Sequence, residues 1–215
     1  HIRIQKDHKR KEVCAVMIQE AYFEKYTEDI SAALSRTVTT DADGRTMDLL
    51  KGFEIWAARA NTIRDTQEGL LFFCGNGASA TMAEHMSHDW FQNAQVNTYS
   101  VSETSHLTAI SNDLSYEDVF SFRIGRICSA RDILVTISSS GNSANVVKAV
   151  RTAKEKGSFV ITLSGMDADN QSRLSGDLNF YVPLKTYGMV ESAHAVLLHA
   201  ALDYFLDQYM GGRHW

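Results

Sequence analysis

The spacing of hydrophobic residues along the chain changes its character close to residue 69. Ahead of that point, residues 13 to 35 and 46 to 64 carry hydrophobic positions at helical spacing, which predicts two amphipathic helices. The second segment collects four hydrophobic residues on one face: Leu49, Leu50, Phe53 and Trp56. We therefore predict a pair of helices that pack through these faces ahead of the main part of the chain.

After residue 69, short hydrophobic runs alternate with longer amphipathic segments, as is typical of a parallel sheet covered on both faces. We predict five strands, at residues 70–74, 98–101, 133–137, 159–163 and 178–182. We also predict helices that run to about residue 93, over 144–156 and over 188–209. The predicted fold class is α/β, with a five-stranded parallel sheet flanked by helices in flavodoxin-like layering. An N-terminal helical extension (residues 1–65) would precede a ligand-binding domain (residues 66–215).

Composition excludes several classes of function. Of 215 residues, 44% are hydrophobic and 22% charged, which is ordinary for a globular protein, and the net charge of −5 argues against a nucleic-acid binder with a broad basic surface. No run approaches the roughly 18 apolar residues of a membrane span, and the polar first residues do not resemble a signal peptide. We expect a soluble, cytoplasmic protein without a membrane or nucleic-acid partner.

The three cysteines form no CxxC pair, so no disulfide framework is indicated, and Cys74 is expected to be buried.

Two predicted strands end in turns that are rich in small polar residues. The first strand runs into Gly75-Asn76-Gly77-Ala78-Ser79, and the third into Ser138-Ser139-Ser140-Gly141-Asn142-Ser143. Glycine permits close approach of the backbone, and the helix that follows each turn offers unpaired N–H groups to an anion. Either turn alone is equally well explained as a tight turn with an N-cap, because Ser and Asn favour those positions. Two such turns at strand ends favour an anion site, and the lack of a Walker lysine or a third glycine disfavours a nucleotide.

The stretches GNGASA (75–80) and ISSSGNSANV (137–146) resemble the sugar isomerase (SIS) domain, and within it the phosphoheptose isomerase family. The resemblance covers roughly residues 66–208. It implies an aldose–ketose isomerase acting on sedoheptulose 7-phosphate, and a homotetramer whose active sites are shared between subunits. It also implies that Asn76 lies beside the sugar and that five serines hold the phosphate: Ser79, Ser138, Ser139, Ser140 and Ser143.

Two helices carry histidines and carboxylates at suggestive spacings. His85 and Asp89 are four residues apart and share a helix face, and Glu191 and His199 are eight apart, again close to one face. Isomerisation through an enediol needs a base at carbon and an acid or Lewis acid at oxygen. A lone histidine on an apolar helix is usually a core residue, and we expect this of His88 and His194.

By resemblance, Asp89 would be the catalytic base at carbon, His199 the partner acid, and Glu191 a substrate contact. The same positions bind zinc in some members of the family: His85, Asp89, Glu191 and His199. All four of these residues can ligate zinc.

Several positions depart from the family pattern. Asp89 replaces the usual Glu and is one methylene shorter, and Glu191 replaces Gln and adds a negative charge that favours a divalent metal. Asn93 and Met189 stand where the family has arginines, and Glu103 where it has Asp. These changes leave two alternatives to the isomerase of the standard substrate. One is an enzyme acting on another phosphosugar, and the other is a non-catalytic SIS protein like the relatives that serve replication initiation.

Overall fold

Seven strands form one sheet in a computed structural model that describes residues 21–212. Their order across the sheet is β2-β1-β7-β6-β5-β3-β4. The strands are β1 (Val38–Asp41), β2 (Thr46–Met47), β3 (Leu71–Gly75), β4 (Thr98–Ser100), β5 (Ile133–Ser138), β6 (Phe159–Ser164) and β7 (Leu178–Tyr181). Strands β7, β6, β5, β3 and β4 run parallel, which confirms the five predicted strands and the α/β class.

The helices alternate with these strands. Helix α1 covers residues 21–34, and part of the predicted helix at 13–35 lies outside the described residues. The others are α2 (Leu49–Thr66), α3 (Ala78–Gln92), α4 (Thr104–Asp113), α5 (Ser121–Ile127), α6 (Ala144–Glu155) and α7 (Tyr187–Tyr209), with a 3₁₀ turn, η1, at Tyr116–Asp118. The three helices predicted after residue 69 correspond to α3, α6 and α7.

Two strands and one helical segment were not predicted. Strand β1 pairs antiparallel with β7 and with the two-residue β2, so the helix predicted from residue 46 begins only at Leu49. Thr39 and Thr40 of β1 are buried although they are polar, which hides this strand from a hydrophobic pattern. The hydrophobic pattern also predicts no element over the segment that forms α4, η1 and α5. The division of the chain at residue 65 stays a prediction.

Two hydrophobic cores lie on opposite faces of the sheet. Successive strand residues point to opposite sides, so Leu71 and Phe73 join the core under α2, α3 and α7, while Phe72 and Cys74 join the core under α5 and α6. Cys74 is 1% exposed, and burial raises the pKa of its thiol to about 12, so the expected buried, unreactive role is confirmed.

Helix α3 is held in place by stacked aromatic rings. Trp90 of α3 lies parallel to Trp56 of α2, with ring centroids 5.8 Å apart, and also contacts Phe205 of α7. Phe53 and Trp56 are buried as predicted, but Leu50 is 55% exposed, so its assignment to that face was wrong.

Within the described residues, no helix is both long and apolar enough to span a membrane.

Candidate active site

The two polar turns meet at one edge of the sheet. Strands β3 and β5 are parallel neighbours, and Gly75 pairs in register with Ile137, so the turns that follow them start side by side. Both turns are crowded. A Cβ on Gly75 would lie 2.7 Å from Cβ of Ser79, and a Cβ on Gly141 would lie 1.9 Å from Oδ1 of Asn170. Gly141 also has a φ of +64°, so glycine is required there for both space and backbone conformation.

A reciprocal amide pair joins the turns. Nδ2 of Asn76 donates to Oδ1 of Asn145 at 2.9 Å, and Nδ2 of Asn145 donates to Oδ1 of Asn76 at 2.9 Å. Asn145 lies in the first turn of α6 and is 2% exposed. The pair fixes the spacing of the two turns without using a charged group.

The five predicted phosphate-binding serines differ in their surroundings. Ser79, Ser138 and Ser139 are buried, and Oγ of Ser138 accepts the main-chain N–H of Gly141 at 3.2 Å. Ser140 and Ser143 are half-buried, and Ser143 is the N-cap of α6 although its side chain makes no capping bond. The first two N–H groups of α6, those of Ala144 and Asn145, have no partner within the helix, whereas that of Val146 donates to Oδ1 of Asn145. The hydroxyls of Ser140 and Ser143 are therefore more open to solvent than those of the other three serines.

A second cluster lies between α3 and α7. His85, Asp89 and His199 each bring a ligand atom to within 4.8 Å of the others. Nε2 of His85 lies 3.2 Å from Oδ2 of Asp89 and 3.3 Å from Nε2 of His199. Asp89 is 19% exposed and His85 54% exposed, so the cluster is open to a ligand on one side.

The hydrogen bonds of His199 fix its tautomer. Nδ1 lies 2.8 Å from the carbonyl oxygen of Ala195, which can only accept, so Nδ1 carries a hydrogen and donates it. In neutral His199, Nε2 therefore carries a lone pair, and it faces Nε2 of His85 at 3.3 Å. Two imidazoles and a carboxylate at this spacing are a donor set that suits zinc or a similar divalent ion.

The remaining predicted residues are not members of this cluster. Glu191 is half-buried on α7 and is not among the three residues whose ligand atoms meet. Asn93 is exposed at the end of α3, and Met189 is in the first turn of α7. Glu103 accepts a hydrogen bond from the hydroxyl of Tyr99. Burial opposes ionisation of Glu103, but the bonds from Tyr99 and its own backbone, with Arg123 nearby, hold its pKa below the ordinary value.

The two histidines that were expected in the core differ. His194 is completely buried, and burial lowers its pKa to about 4, so it is neutral and structural as predicted. His88 is exposed, and its predicted core position was wrong. The buried face of α3 is set by Ala83, Met86 and Trp90, and residue 88 lies about 200° around the helix from residue 86.

Two residues of the site were missed by sequence reasoning. Asn145 stands inside the recognised ISSSGNSANV stretch but was given no role. Tyr116 lies in η1, and its hydroxyl donates to Oδ1 of Asn76 at 3.0 Å. No local pattern marks Tyr116, because its contact joins positions 40 residues apart.

Known proteins match this arrangement. The model of the SIS domain family matches residues 25–165. A phosphoheptose isomerase from Laribacter hongkongensis is 33% identical over 171 residues, which cover 74% of this chain and 87% of that protein. One from Chromohalobacter salexigens is 34% identical over 153 residues, which cover 67% of this chain and 77% of that protein. The solved structure of a phosphoheptose isomerase from Neisseria gonorrhoeae has a TM-score of 0.72 at 29% identity, over 87% of this chain and 99% of that one.

The matched region of the SIS family model contains both polar turns and the whole of α3, and therefore the amide pair, His85 and Asp89. The similarity to the curated isomerases extends over two thirds or more of the chain. The chain belongs to the SIS domain family, and within it to the phosphoheptose isomerases.

Proposed function

We propose that the chain converts sedoheptulose 7-phosphate, or a closely related phosphosugar, into an aldoheptose 7-phosphate through an enediol. The observation that carries this proposal is the placement of two sites along α3. Ser79 at its start belongs to the anion-binding turns, and His85 follows about 9 Å further along the helix axis. An extended sugar phosphate can lie with its phosphate at the turns and its reacting carbons at the His–Asp cluster.

At the phosphate end, Ser140, Ser143 and the first N–H groups of α6 would bind the phosphate oxygens, together with Ser79, Ser138 and Ser139 as the family resemblance implies. A phosphate can be held without lysine or arginine, because hydroxyl and N–H donors at a helix N-terminus favour an anion. Asn76, between the turns and α3, would contact the sugar.

At the reacting end, Asp89 would remove the proton from C1 of the ketose and return a proton to C2. His199 would move a proton between the oxygens on C1 and C2 of the sugar. Its Nε2 can accept that proton in the neutral form, because Nδ1 carries the ring hydrogen, and can donate it when the ring is protonated. His85 holds the carboxylate of Asp89 at 3.2 Å and so limits its movement. The shorter aspartate reaches less far than glutamate, so its direction has to be well defined.

His85, Asp89 and His199 would also hold a zinc ion, with Glu191 as the fourth ligand proposed from the family pattern. A bound divalent ion supplies Lewis acidity that polarises the sugar oxygens. The nitrogen and oxygen donors within 4.8 Å of one another support the first three of these assignments.

A homotetramer is part of the same proposal. A cavity of about 650 Å³ runs along α7 beside His199, and Phe53, Val196 and Tyr204 line it. Val196 is 49% exposed, and an apolar side chain next to the proposed acid is consistent with cover by a second subunit.

The similarity to isomerases favours catalysis over the non-catalytic alternative. The choice of a related phosphosugar is favoured by one observation: Asn93 and Met189 carry no positive charge where the family pattern has arginines. A substrate with fewer anionic or hydroxyl groups near its reacting carbons would need fewer such contacts.

Replacing Asp89 by Asn should reduce turnover of sedoheptulose 7-phosphate at least about 100-fold, because an amide cannot accept the carbon-bound proton. Binding of the sugar phosphate, measured by calorimetry, should change little. Asp65→Asn at the end of α2 is the matched control, since it alters only contacts with Asn61 and Arg64 on the same helix, and it should retain full turnover. Turnover that survives Asp89→Asn would remove Asp89 as the base.

Replacing His85 by Ala should weaken zinc binding at least about tenfold, as measured by competition with a chromogenic chelator. His88→Ala provides the control, because His88 is an exposed histidine on the same helix outside the cluster. Equal zinc affinity in the two variants would contradict the metal assignment.

Replacing both Ser140 and Ser143 by Ala should weaken binding of the sugar phosphate about tenfold or more, because two hydrogen bonds to a charged group are lost. The turnover number at saturation should change less than the affinity. An unaltered affinity, with Ser35→Ala at an exposed serine outside both turns as reference, would show that the phosphate binds elsewhere.

A further inference from the structure

Asn76 is the centre of a hydrogen-bond chain that begins at a main-chain donor. The N–H of Val146 donates to Oδ1 of Asn145 at 3.0 Å. A main-chain nitrogen cannot accept, so the atom of the Asn145 amide that faces it must be the oxygen. The orientation of the buried Asn145 amide is thereby determined by the first turn of α6.

This orientation is passed on to Asn76. Since Oδ1 of Asn145 faces one way and Nδ2 the other, the reciprocal pair requires Nδ2 of Asn76 opposite the oxygen and Oδ1 of Asn76 opposite the nitrogen. The hydroxyl of Tyr116 lies 3.0 Å from Oδ1 of Asn76 and must therefore donate to it. Both lone pairs of that oxygen are then occupied, one by Asn145 and one by Tyr116.

The amide nitrogen of Asn76 is left with one unused hydrogen. One of its two N–H bonds is directed at Asn145, and among residues 21–212 the other has no acceptor. Asn76 is half-buried at the junction of the two turns, so this N–H is available to a ligand. With its oxygen occupied, Asn76 can only donate to that ligand.

We propose that Tyr116 is a positioning residue that locks the amide of Asn76 as a hydrogen-bond donor to an oxygen atom of the sugar. The inference rests on the proposed function, because it takes a phosphosugar as the ligand. Tyr116 is 58% exposed, so its hydroxyl contributes little to the core, and its hydrogen bond to Asn76 is its contribution to the site. Without that bond the Asn76 oxygen regains a free lone pair, and the amide is held by Asn145 alone.

The test measures binding of two probes, sedoheptulose 7-phosphate and inorganic phosphate, by calorimetry. Every chain carries Asp89→Asn, so that bound sugar is not converted. Tyr116→Phe should weaken binding of the sugar phosphate about three- to tenfold, the range of one neutral hydrogen bond, and leave inorganic phosphate unchanged. Tyr209→Phe, which alters an exposed tyrosine at the C-terminal end of α7, should change neither affinity.

A double-mutant cycle with Asn76→Ala separates action through Asn76 from direct contact. Tyr116→Phe should have no further effect once the Asn76 amide is gone. If Asn76→Ala does not fold, as judged by thermal unfolding, Asn76→Ser replaces it in the cycle. An undiminished effect of Tyr116→Phe in the Asn76 variant would mean that the phenol touches the ligand itself, and would overturn the proposal.

Two other results would also overturn it. One is that the Tyr116→Phe chain binds the sugar phosphate as tightly as the chain that keeps Tyr116. The other is that it loses as much affinity for inorganic phosphate as for the sugar phosphate, which would indicate a disturbed phosphate turn. Failure of the proposed function is a separate outcome. A chain with Asp89 intact that binds sedoheptulose 7-phosphate without converting it would refute the isomerase, while the cycle would still decide the role of Tyr116.

Discussion

The parallel register of β3 and β5 is the constraint on which the rest of the site depends. It places Gly75 beside Ile137 and makes the two polar turns leave the sheet together. The amide pair of Asn76 and Asn145 can form only because the turns are adjacent, and it is formed without any charged side chain. An overall acidic chain can therefore present an anion site, because the donors are amides, hydroxyls and the start of α6.

Helix α3 transmits this arrangement to the second cluster. Its first turn packs against Gly75, and its far end is held by the stack of Trp90 on Trp56. A helix fixed at both ends presents His85 and Asp89 at a set distance from the turns, and α7 brings His199 to them from the other side. In the proposed function, a single rigid element would position phosphate binding and proton transfer, and it would limit the length of the sugar that fits.

The sequence was most informative where function depends on local chemistry. Glycine and serine turns after hydrophobic runs, and the four-residue spacing of His85 and Asp89, follow from strand and helix geometry alone. The meeting of these residues with His199 is a tertiary contact over 114 positions, and only the family resemblance suggested it. Strand β1 and the role of Tyr116 were missed for the same reason, since a polar edge strand and a single distant hydrogen bond leave no periodic signal.

The central claim is that one chain holds the phosphate at the turns while Asp89 moves a proton between neighbouring carbons. Proton NMR of sedoheptulose 7-phosphate incubated with the protein in D₂O tests it most directly. The account predicts an aldoheptose 7-phosphate with deuterium on C2, because Asp89 is 19% exposed and its proton can exchange with solvent while the enediol is bound. No conversion at all would contradict it.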